Sequence, residues 1–363
     1  MKTVYFLALN HNNHTPYEVL KTYKPVFYDN GYKILLSNKI VKNNVNLILD
    51  EFTSRDFRNY IVHIKKKYPK TIIGCVTSEM INPILGFIKS FQHYNNEHKF
   101  ISLIKVPLYF IRIKFEDLII FRLKPVLKKN SILFSILKFF SKNIIYRFKI
   151  QNIFDYNYYF FYRYLTLMQM KKYTDFYISW AIEIHNENLL LNKNSFLLLP
   201  NVNFVKKNKK KGITISGSVT SYRKAIILKF LSFLKVRNNF LDFLQADKMK
   251  NNFLMKNVFY QYSLNLSQNK AWVNSSPMKY FFSIFNHEIP LVIEKFKVRS
   301  NSVPDLYIYK SFKEVINKNF FNYNVYLKNL KIINKKIEKY KDYQKINNNF
   351  FYFLDNKIRN LNL

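Results

Sequence analysis

The sequence predicts an α/β protein in which parallel sheets are covered by helices on both faces. Short apolar runs alternate with helical stretches near the amino terminus, and the same alternation starts again near Gly212. The apolar runs are continuous, which is typical of strands buried on both faces of a parallel sheet. We therefore predict two α/β units, one after the other along the chain.

The first unit is predicted from four strands with helices between them, followed by a further strand, helix and strand. The helix at 54–68 has apolar residues spaced about 3.6 apart, and Ser54 is suited to cap it. The last strand of this unit ends at Pro200–Asn201. The predicted strands are 4–9, 33–37, 45–49, 71–76, 175–179 and 195–199, and the predicted helices are 17–30, 54–68 and 180–191.

Residues 100–172 interrupt this alternation with a segment that is apolar, basic and aromatic together. We predict that the segment is mostly helical and is an insertion in the first unit. Two interpretations are open. The segment either forms a helical layer over the sheet, or lies on an anionic membrane with apolar side chains in the interface and lysines and arginines at lipid phosphates.

A basic run at 206–211 is predicted to link the first unit to the second. A polar helical tail begins near Val325; it is too polar for a core helix, and we expect it to pack back across both units. The predicted domains are residues 1–205, 206–324 and 325–363. The predicted strands of the second unit are 212–216, 239–244, 262–266, 289–293 and 306–309, and its helices are 221–234, 277–285 and 312–316.

The net charge of +37 is compatible with a surface that binds anions such as nucleic acid, anionic lipid or nucleotide phosphates. Compositional drift is the other explanation, since Lys, Asn, Ile, Phe and Tyr are all abundant and only 5 glycines are present. Lysine occurs along every segment and no known RNA- or DNA-binding module is recognisable, so nucleic acid is a disfavoured partner.

The single cysteine, Cys75, excludes a disulfide within the chain and favours a reducing compartment. We find no signal peptide and no apolar run long enough to span a bilayer. The expected location is therefore the cytoplasm, with the option of a peripheral position on the inner face of the membrane.

The stretch from Ile213 to Arg223 is the first candidate for a binding site. A predicted strand runs into Gly217 and Ser218 and then into the start of a helix. Glycine permits a sharp turn close to a ligand, and free N–H groups at a helix start favour a phosphate. Arg223, one turn into the helix, is placed to pair with a diphosphate. An ordinary strand–helix turn has the same local features, so both interpretations stay open.

The stretch that contains Ser276, Pro277 and Lys279 is the second candidate. Serine is a good helix cap and proline fits the first helical position. Lys279 then lies in the first turn, where the helix dipole disfavours a cation. A bound anion would offset that cost, and a solvated surface lysine is the alternative.

Together these stretches resemble the donor domain of GT-B glycosyltransferases. That domain commonly opens with a strand and a G-S-x-x-x-Y-R-like loop, and continues with an S-P-x-K-x-(F/Y) helix and a G-x-P-V-(I/V) strand. The matching residues here are Gly217-Ser218, Tyr222-Arg223, Ser276-Pro277-Met278-Lys279-Tyr280 and Ile289-Pro290-Leu291-Val292, and Pro200-Asn201-Val202 resembles the stretch that closes the first domain.

The resemblance implies two Rossmann-like domains that face a cleft, with a nucleotide-sugar bound to the second. It implies that Arg223 and Lys279 bind the diphosphate and that the region of Ser276 binds the nucleotide. Two features depart from the family pattern. Ile289 stands where the glycine before Pro290 is usual. The carboxylate pattern that retaining members often have at the start of the second helix is not clearly matched, and Asn274 and Lys279 stand nearby instead.

A catalytic base is expected on loops at the carboxyl ends of the first unit's strands, where ligands meet parallel sheets. The candidates are Glu79 after the fourth strand, and His14 and His11 after the first. No H-x-x-x-H, paired-cysteine or D-x-D element is present, so we predict neither a metal nor a cofactor.

The resemblance thus implies transfer of a sugar from a nucleotide-sugar to a saccharide or lipid-linked acceptor in cell-surface glycan synthesis. The alternative is a non-catalytic basic protein that binds a membrane surface or nucleic acid.

Overall fold

The computed structural model describes residues 1–8, 14–49, 55–77, 166–204, 210–217, 221–235, 241–245, 260–266, 277–293, 305–317 and 319–361. Strands in these residues form two parallel sheets, of six and five strands. This confirms the predicted α/β class with parallel sheets. Most of the predicted helical insertion, together with Ser54, lies outside the described residues.

The first sheet is formed by the strands of the first half of the chain. The strands are β1 (Lys2–Leu7), β2 (Tyr32–Ser37), β3 (Val45–Leu49), β4 (Ile72–Thr77), β5 (Phe176–Ser179) and β6 (Ser195–Leu197); the helices are α1 (His14–Asp29), α2 (Arg55–Lys67) and α3 (Ile182–Leu191). The strand order is β2-β1-β3-β4-β5-β6, and all pairs are parallel. Helix α1 connects β1 to β2, α2 connects β3 to β4, and α3 connects β5 to β6.

This sheet is buried on both faces, as the continuous apolar runs predict. In β3, Leu47 belongs to one buried cluster, whereas the next residue, Ile48, belongs to the cluster on the opposite face. Strand β4 alternates in the same way, with Val76 in the first cluster and Cys75 in the second. Successive side chains of a strand point to opposite faces, so a sheet covered twice requires apolar residues at nearly every position.

The second sheet is formed by the strands of the second half of the chain. Its elements are β7 (Lys210–Gly217), α4 (Ser221–Lys235), β8 (Leu241–Gln245), β9 (Tyr260–Leu264), α5 (Pro277–Phe285), β10 (Ile289–Val292), β11 (Ile308–Tyr309) and α6 (Phe312–Val315). The strand order is β11-β10-β9-β7-β8, and the sheet is also parallel throughout.

The first strand of this sheet, β7, begins at Lys210, so part of the predicted linker at 206–211 is in fact strand. The pairing of β7 with β9 shifts register between Lys210 and Ile213, and Gly212 within that shift has φ of 144°. Glycine adopts this backbone conformation without the clash that a Cβ would cause.

The carboxyl-terminal tail forms two helices, α7 (Tyr323–Tyr343) and α8 (Asn347–Arg359), joined by a 3-10 turn at Gln344–Ile346. The prediction of a helix too polar for the core was wrong. One face of α7 is buried, and the lysines lie on the other positions, so the average polarity of the segment conceals its apolar face. The buried residues of α7 are Tyr326, Asn329, Leu330, Ile333, Ile337 and Tyr340.

The last two helices contact both sheets. Helix α7 contacts β10 and β11, while α8 packs against β6. The ring of Phe350 in α8 lies 5.8 Å from that of Phe27 and 5.6 Å from that of Phe176. The tail therefore contacts strands of both sheets.

Polar contacts fasten the tail to the segment that leaves the first sheet. The Asn347 side chain accepts from the Leu199 N–H at 2.8 Å and donates to the Leu199 carbonyl at 2.9 Å. The Pro200 carbonyl accepts from Tyr340 Oη at 3.2 Å and from Gln344 Nε2 at 2.8 Å. We call residues 199–200 with Tyr340, Gln344 and Asn347 the tail clasp.

Candidate functional site

The strand order of the second sheet identifies the edge where a ligand would bind. After β7 the chain adds β8 on one side, and it then returns to add β9 on the other side. The gap between the ends of β7 and β9 is therefore the switch point of the sheet, and open α/β sheets bind ligands in the crevice outside the carboxyl ends of the strands there. Gly217 ends β7, and Leu266 lies two residues beyond the end of β9.

Arg223 lies in the first turn of α4, the helix that follows β7. Its side chain is buried, with only 2% of the residue exposed. Nε and Nη2 donate to the Leu266 carbonyl oxygen at 3.2 and 2.8 Å. The guanidinium is thereby held at the carboxyl edge of the sheet, between the ends of β7 and β9.

Lys279 lies in the first turn of α5, the helix that precedes β10. Its Nζ donates to the same Leu266 oxygen at 2.9 Å, and the residue is half-buried. Two cationic side chains from different helices therefore meet at one carbonyl oxygen. We call Arg223, Lys279 and the Leu266 carbonyl the cationic cluster.

The electrostatics of the cationic cluster favour an anion. Both cations lie in first helical turns, where the unpaired N–H groups and the helix dipole add positive potential. The Leu266 carbonyl oxygen is an acceptor that both side chains share. A phosphate is an anion that a guanidinium and an ammonium in first helical turns are suited to bind.

The structure brings together part of the predicted binding set. Arg223 and Lys279 converge on one oxygen, Gly217 is the last residue of β7, and Pro277 is the first residue of α5. Ser218 and Ser276 lie outside the described residues. Sequence reasoning missed the Leu266 carbonyl, since any residue supplies this acceptor and no residue type marks it.

The structure describes one of the three candidate bases, His14. His14 is the first residue of α1, which corrects its assignment to a loop. The helix starts earlier than apolar spacing suggested, since the residues before Tyr17 are polar and carry no periodic signal. His11 and Glu79 lie outside the described residues. The switch point of the first sheet lies between β1 and β3; His11 follows β1, and Asp50 and Glu51, which sequence reasoning missed, follow β3 directly.

A polar group lies at the carboxyl ends of β4 and β5. Thr77 Oγ1 donates to the Ile178 carbonyl at 3.1 Å and accepts from Asn188 Nδ2 at 2.5 Å. One turn before Asn188 on α3, partial burial lowers the pKa of His185, because desolvation disfavours the imidazolium. These contacts fix α3 over the sheet, and sequence reasoning gave them no role.

The resemblance leads us to expect a glycine at the position of Ile289, but the residue with a positive φ is His287, two positions earlier. His287 has φ of 56°, the left-handed conformation that usually follows a helix and that glycine adopts most easily. Glu288 is buried, and its carboxylate accepts from Thr214 Oγ1 at 2.8 Å and from the Tyr260 N–H at 3.1 Å. These contacts lie at the start of β10, the edge opposite the cationic cluster, so Glu288 fixes the sheet rather than the site.

The described residues were also compared with the requirements of a metal site and of a membrane-spanning helix. No group of three or more His, Cys, Asp or Glu side chains is placed to hold a metal ion. Within the same part of the chain, no helix combines the length and apolar character that crossing a bilayer requires.

Comparisons with protein-family models, curated proteins and solved structures find no match to this chain.

Proposed function

We propose that the protein is a GT-B-like glycosyltransferase that transfers a sugar from a nucleotide-sugar to a saccharide or lipid-linked acceptor without a metal ion. The observation that carries the proposal is the convergence of Arg223 and Lys279 on Leu266 at the switch point of the second sheet. A nucleotide-sugar carries its negative charge on phosphate groups, and that charge increases when the sugar leaves.

The same proposal assigns the two sheets to two domains that face a cleft. Helix α1, which starts at the carboxyl edge of the first sheet, contacts α5, which starts at the carboxyl edge of the second. This contact supports an arrangement in which the two carboxyl edges face each other across a cleft. A site shared between facing domains would also exclude water from the transfer step.

In the proposed reaction the acceptor hydroxyl loses its proton to a base of the first domain, and its oxygen attacks the anomeric carbon. The bond from that carbon to the phosphate oxygen breaks, and the electron pair stays on the leaving nucleotide. Arg223 and Lys279 stabilise this charge, while Ser276 and Gly217–Ser218 approach the nucleotide. Glu79, His14 and His11 remain the candidates for the base. The basic apolar segment 100–150 would hold the enzyme at the inner face of the membrane, close to a lipid-linked acceptor.

Thermal unfolding with UDP, GDP, CMP and TDP tests the proposal. A nucleotide at 100 times its Kd stabilises the folded state by about 2.7 kcal/mol, which raises Tm by a few degrees. We expect one of these nucleotides to do so, and K279A to remove the effect. The matched control is K224A, because Lys224 is an exposed lysine next to Arg223 on α4. A chain that no nucleotide stabilises would contradict the proposal.

A further inference from the structure

The exposed face of α7 has a charge distribution that its structural role does not require. Lys328, Lys331, Lys335 and Lys339 are all exposed, at spacings of three or four residues that align them along one side of the helix. We call these four residues the lysine ridge. Two exposed acidic residues lie on the same side of the helix, with Asp342 in the line of the ridge and Glu338 at its edge. The four lysines outnumber them, so the net charge of this face is positive.

Apolar side chains border the lysine ridge and remain exposed to solvent. Ile332 is 39% exposed, Tyr343 is 43% exposed and Ile346, in the turn after α7, is 38% exposed. At 100° per residue, Ile332 and Tyr343 lie along one flank of the ridge. Ile346 lies in the 3-10 turn, where side chains three residues apart eclipse, so it continues the flank at Tyr343. The surface therefore combines a row of cations with adjoining apolar groups.

The neighbouring helix shows that composition alone does not produce this face. The exposed positions of α8 carry Asn348, Asn349, Tyr352 and Arg359, with no lysine among them. Both helices belong to the same lysine-rich chain, and both bury their inner face. The lysines are therefore concentrated on α7, not spread evenly over the exposed surface of the tail.

We propose that the exposed face of α7 binds the surface of an anionic lipid bilayer. Lysines at the lipid phosphates and apolar side chains at the acyl boundary are the two components of an interfacial helix. Nucleic acid offers phosphates to the lysines, but a phosphate backbone provides no environment that Ile332 and Ile346 would enter. This surface does not depend on the proposed transferase activity, and it lies in a different part of the chain from segment 100–150.

Co-sedimentation of the full chain with vesicles tests this proposal. We expect binding to phosphatidylcholine vesicles that contain phosphatidylserine, and not to pure phosphatidylcholine. Each lysine near such a surface strengthens binding roughly fivefold, so the K331Q/K335Q/K339Q variant should bind about 100-fold more weakly. The matched control is K66Q/K67Q/K70Q, which removes three exposed lysines at the end of α2.

A second variant tests the apolar component. I332S/I346S should weaken vesicle binding several-fold at every salt concentration and leave its salt dependence unchanged, because the ionic contacts of the lysines remain. Thermal unfolding followed by circular dichroism establishes that each variant is folded, which surface substitutions should permit.

Several results would overturn the proposal. They are failure of the wild-type chain to bind phosphatidylserine vesicles, equal weakening by the two lysine triples, and insensitivity to I332S/I346S. A single-stranded RNA of 20 nucleotides that binds more tightly than the vesicles, through the same lysines, would assign the face to nucleic acid instead.

Discussion

At the scale of single residues, the central feature is the sharing of one carbonyl oxygen by two cations. A buried arginine costs free energy unless its donors are satisfied, and the Leu266 oxygen satisfies part of that demand for Arg223. Lys279 brings a second charge to the same point. The arrangement holds both cations at a fixed position before any ligand arrives, which reduces the cost of ordering them on binding.

The left-handed residue after α5 supplies a prediction about stability. His287 carries a Cβ in a conformation that costs an L-residue about 1 kcal/mol. We expect H287G to raise the free energy of unfolding, measured in urea, by roughly 0.5–1 kcal/mol. The gain is limited because the His287 ring also contacts Phe204 at 6.2 Å.

Asn43 provides the control for H287G. It also has a positive φ, of 52°, but asparagine tolerates this conformation. N43G should therefore change stability by less than about 0.5 kcal/mol. If H287G were destabilising, the strain at His287 would have to be smaller than the contacts that its side chain makes.

Gly74 supplies a second prediction, in which space rather than backbone conformation is limiting. A Cβ at this position would come within 2.2 Å of the Phe176 ring. We expect G74A to lower the free energy of unfolding by about 2–3 kcal/mol, since overpacking displaces neighbouring side chains. G31A is the comparison, because a Cβ there meets nothing within 4 Å and only its φ of 79° is unfavourable. Equal losses in the two variants would contradict this explanation.

At the scale of secondary-structure elements, the tail clasp joins α7 and α8 to the segment that ends the first sheet. Asn347 is buried and makes two hydrogen bonds with the backbone of Leu199. Removing its amide leaves a buried N–H and a buried C=O without these partners. We expect N347A to lower the free energy of unfolding by about 2–4 kcal/mol.

Asn348 is the control for the tail clasp because it is the next residue on α8 and is exposed. N348A should change stability by no more than about 0.5 kcal/mol in the same urea titration. A loss in N347A as small as that in N348A would mean that the clasp does not stabilise the fold.

The elements also show what could be predicted from sequence. Strands such as β3 were predictable because a strand buried on both faces needs an unbroken apolar run, and α5 was predictable because proline marks its start. The helical character of the tail was predictable, but the burial of one face of α7 was not, because that face is narrow and lysines dominate the average composition. The start of β7 was missed since Lys210 and Lys211 resemble a linker.

The candidate site divides in the same way. The positions of Arg223 and Lys279 in first helical turns were predictable, because each follows a recognisable helix start. Their convergence was not, since it depends on the order of the strands and on the Leu266 backbone. A sequence read locally contains neither kind of information.

At the scale of the whole molecule, two parallel sheets present separate carboxyl edges, and a switch point lies in each. In the proposed function, the second edge binds the nucleotide-sugar and the first edge binds the acceptor. The net charge of +37 does not distinguish this function from others, because any phosphate-bearing partner would be attracted. Specificity has to be tested at the cationic cluster.

The most direct measurement compares the affinities of a nucleoside diphosphate and its parent nucleoside by titration calorimetry, with the nucleotide that stabilises the chain most. We predict that the diphosphate binds at least about 100-fold more tightly, a difference of roughly 2.7 kcal/mol for its contacts with both cations. K279A should remove most of this difference, and K224A should preserve it. Equal affinities in the wild-type chain, or an undiminished preference in K279A, would contradict the assignment of the cationic cluster to the donor diphosphate.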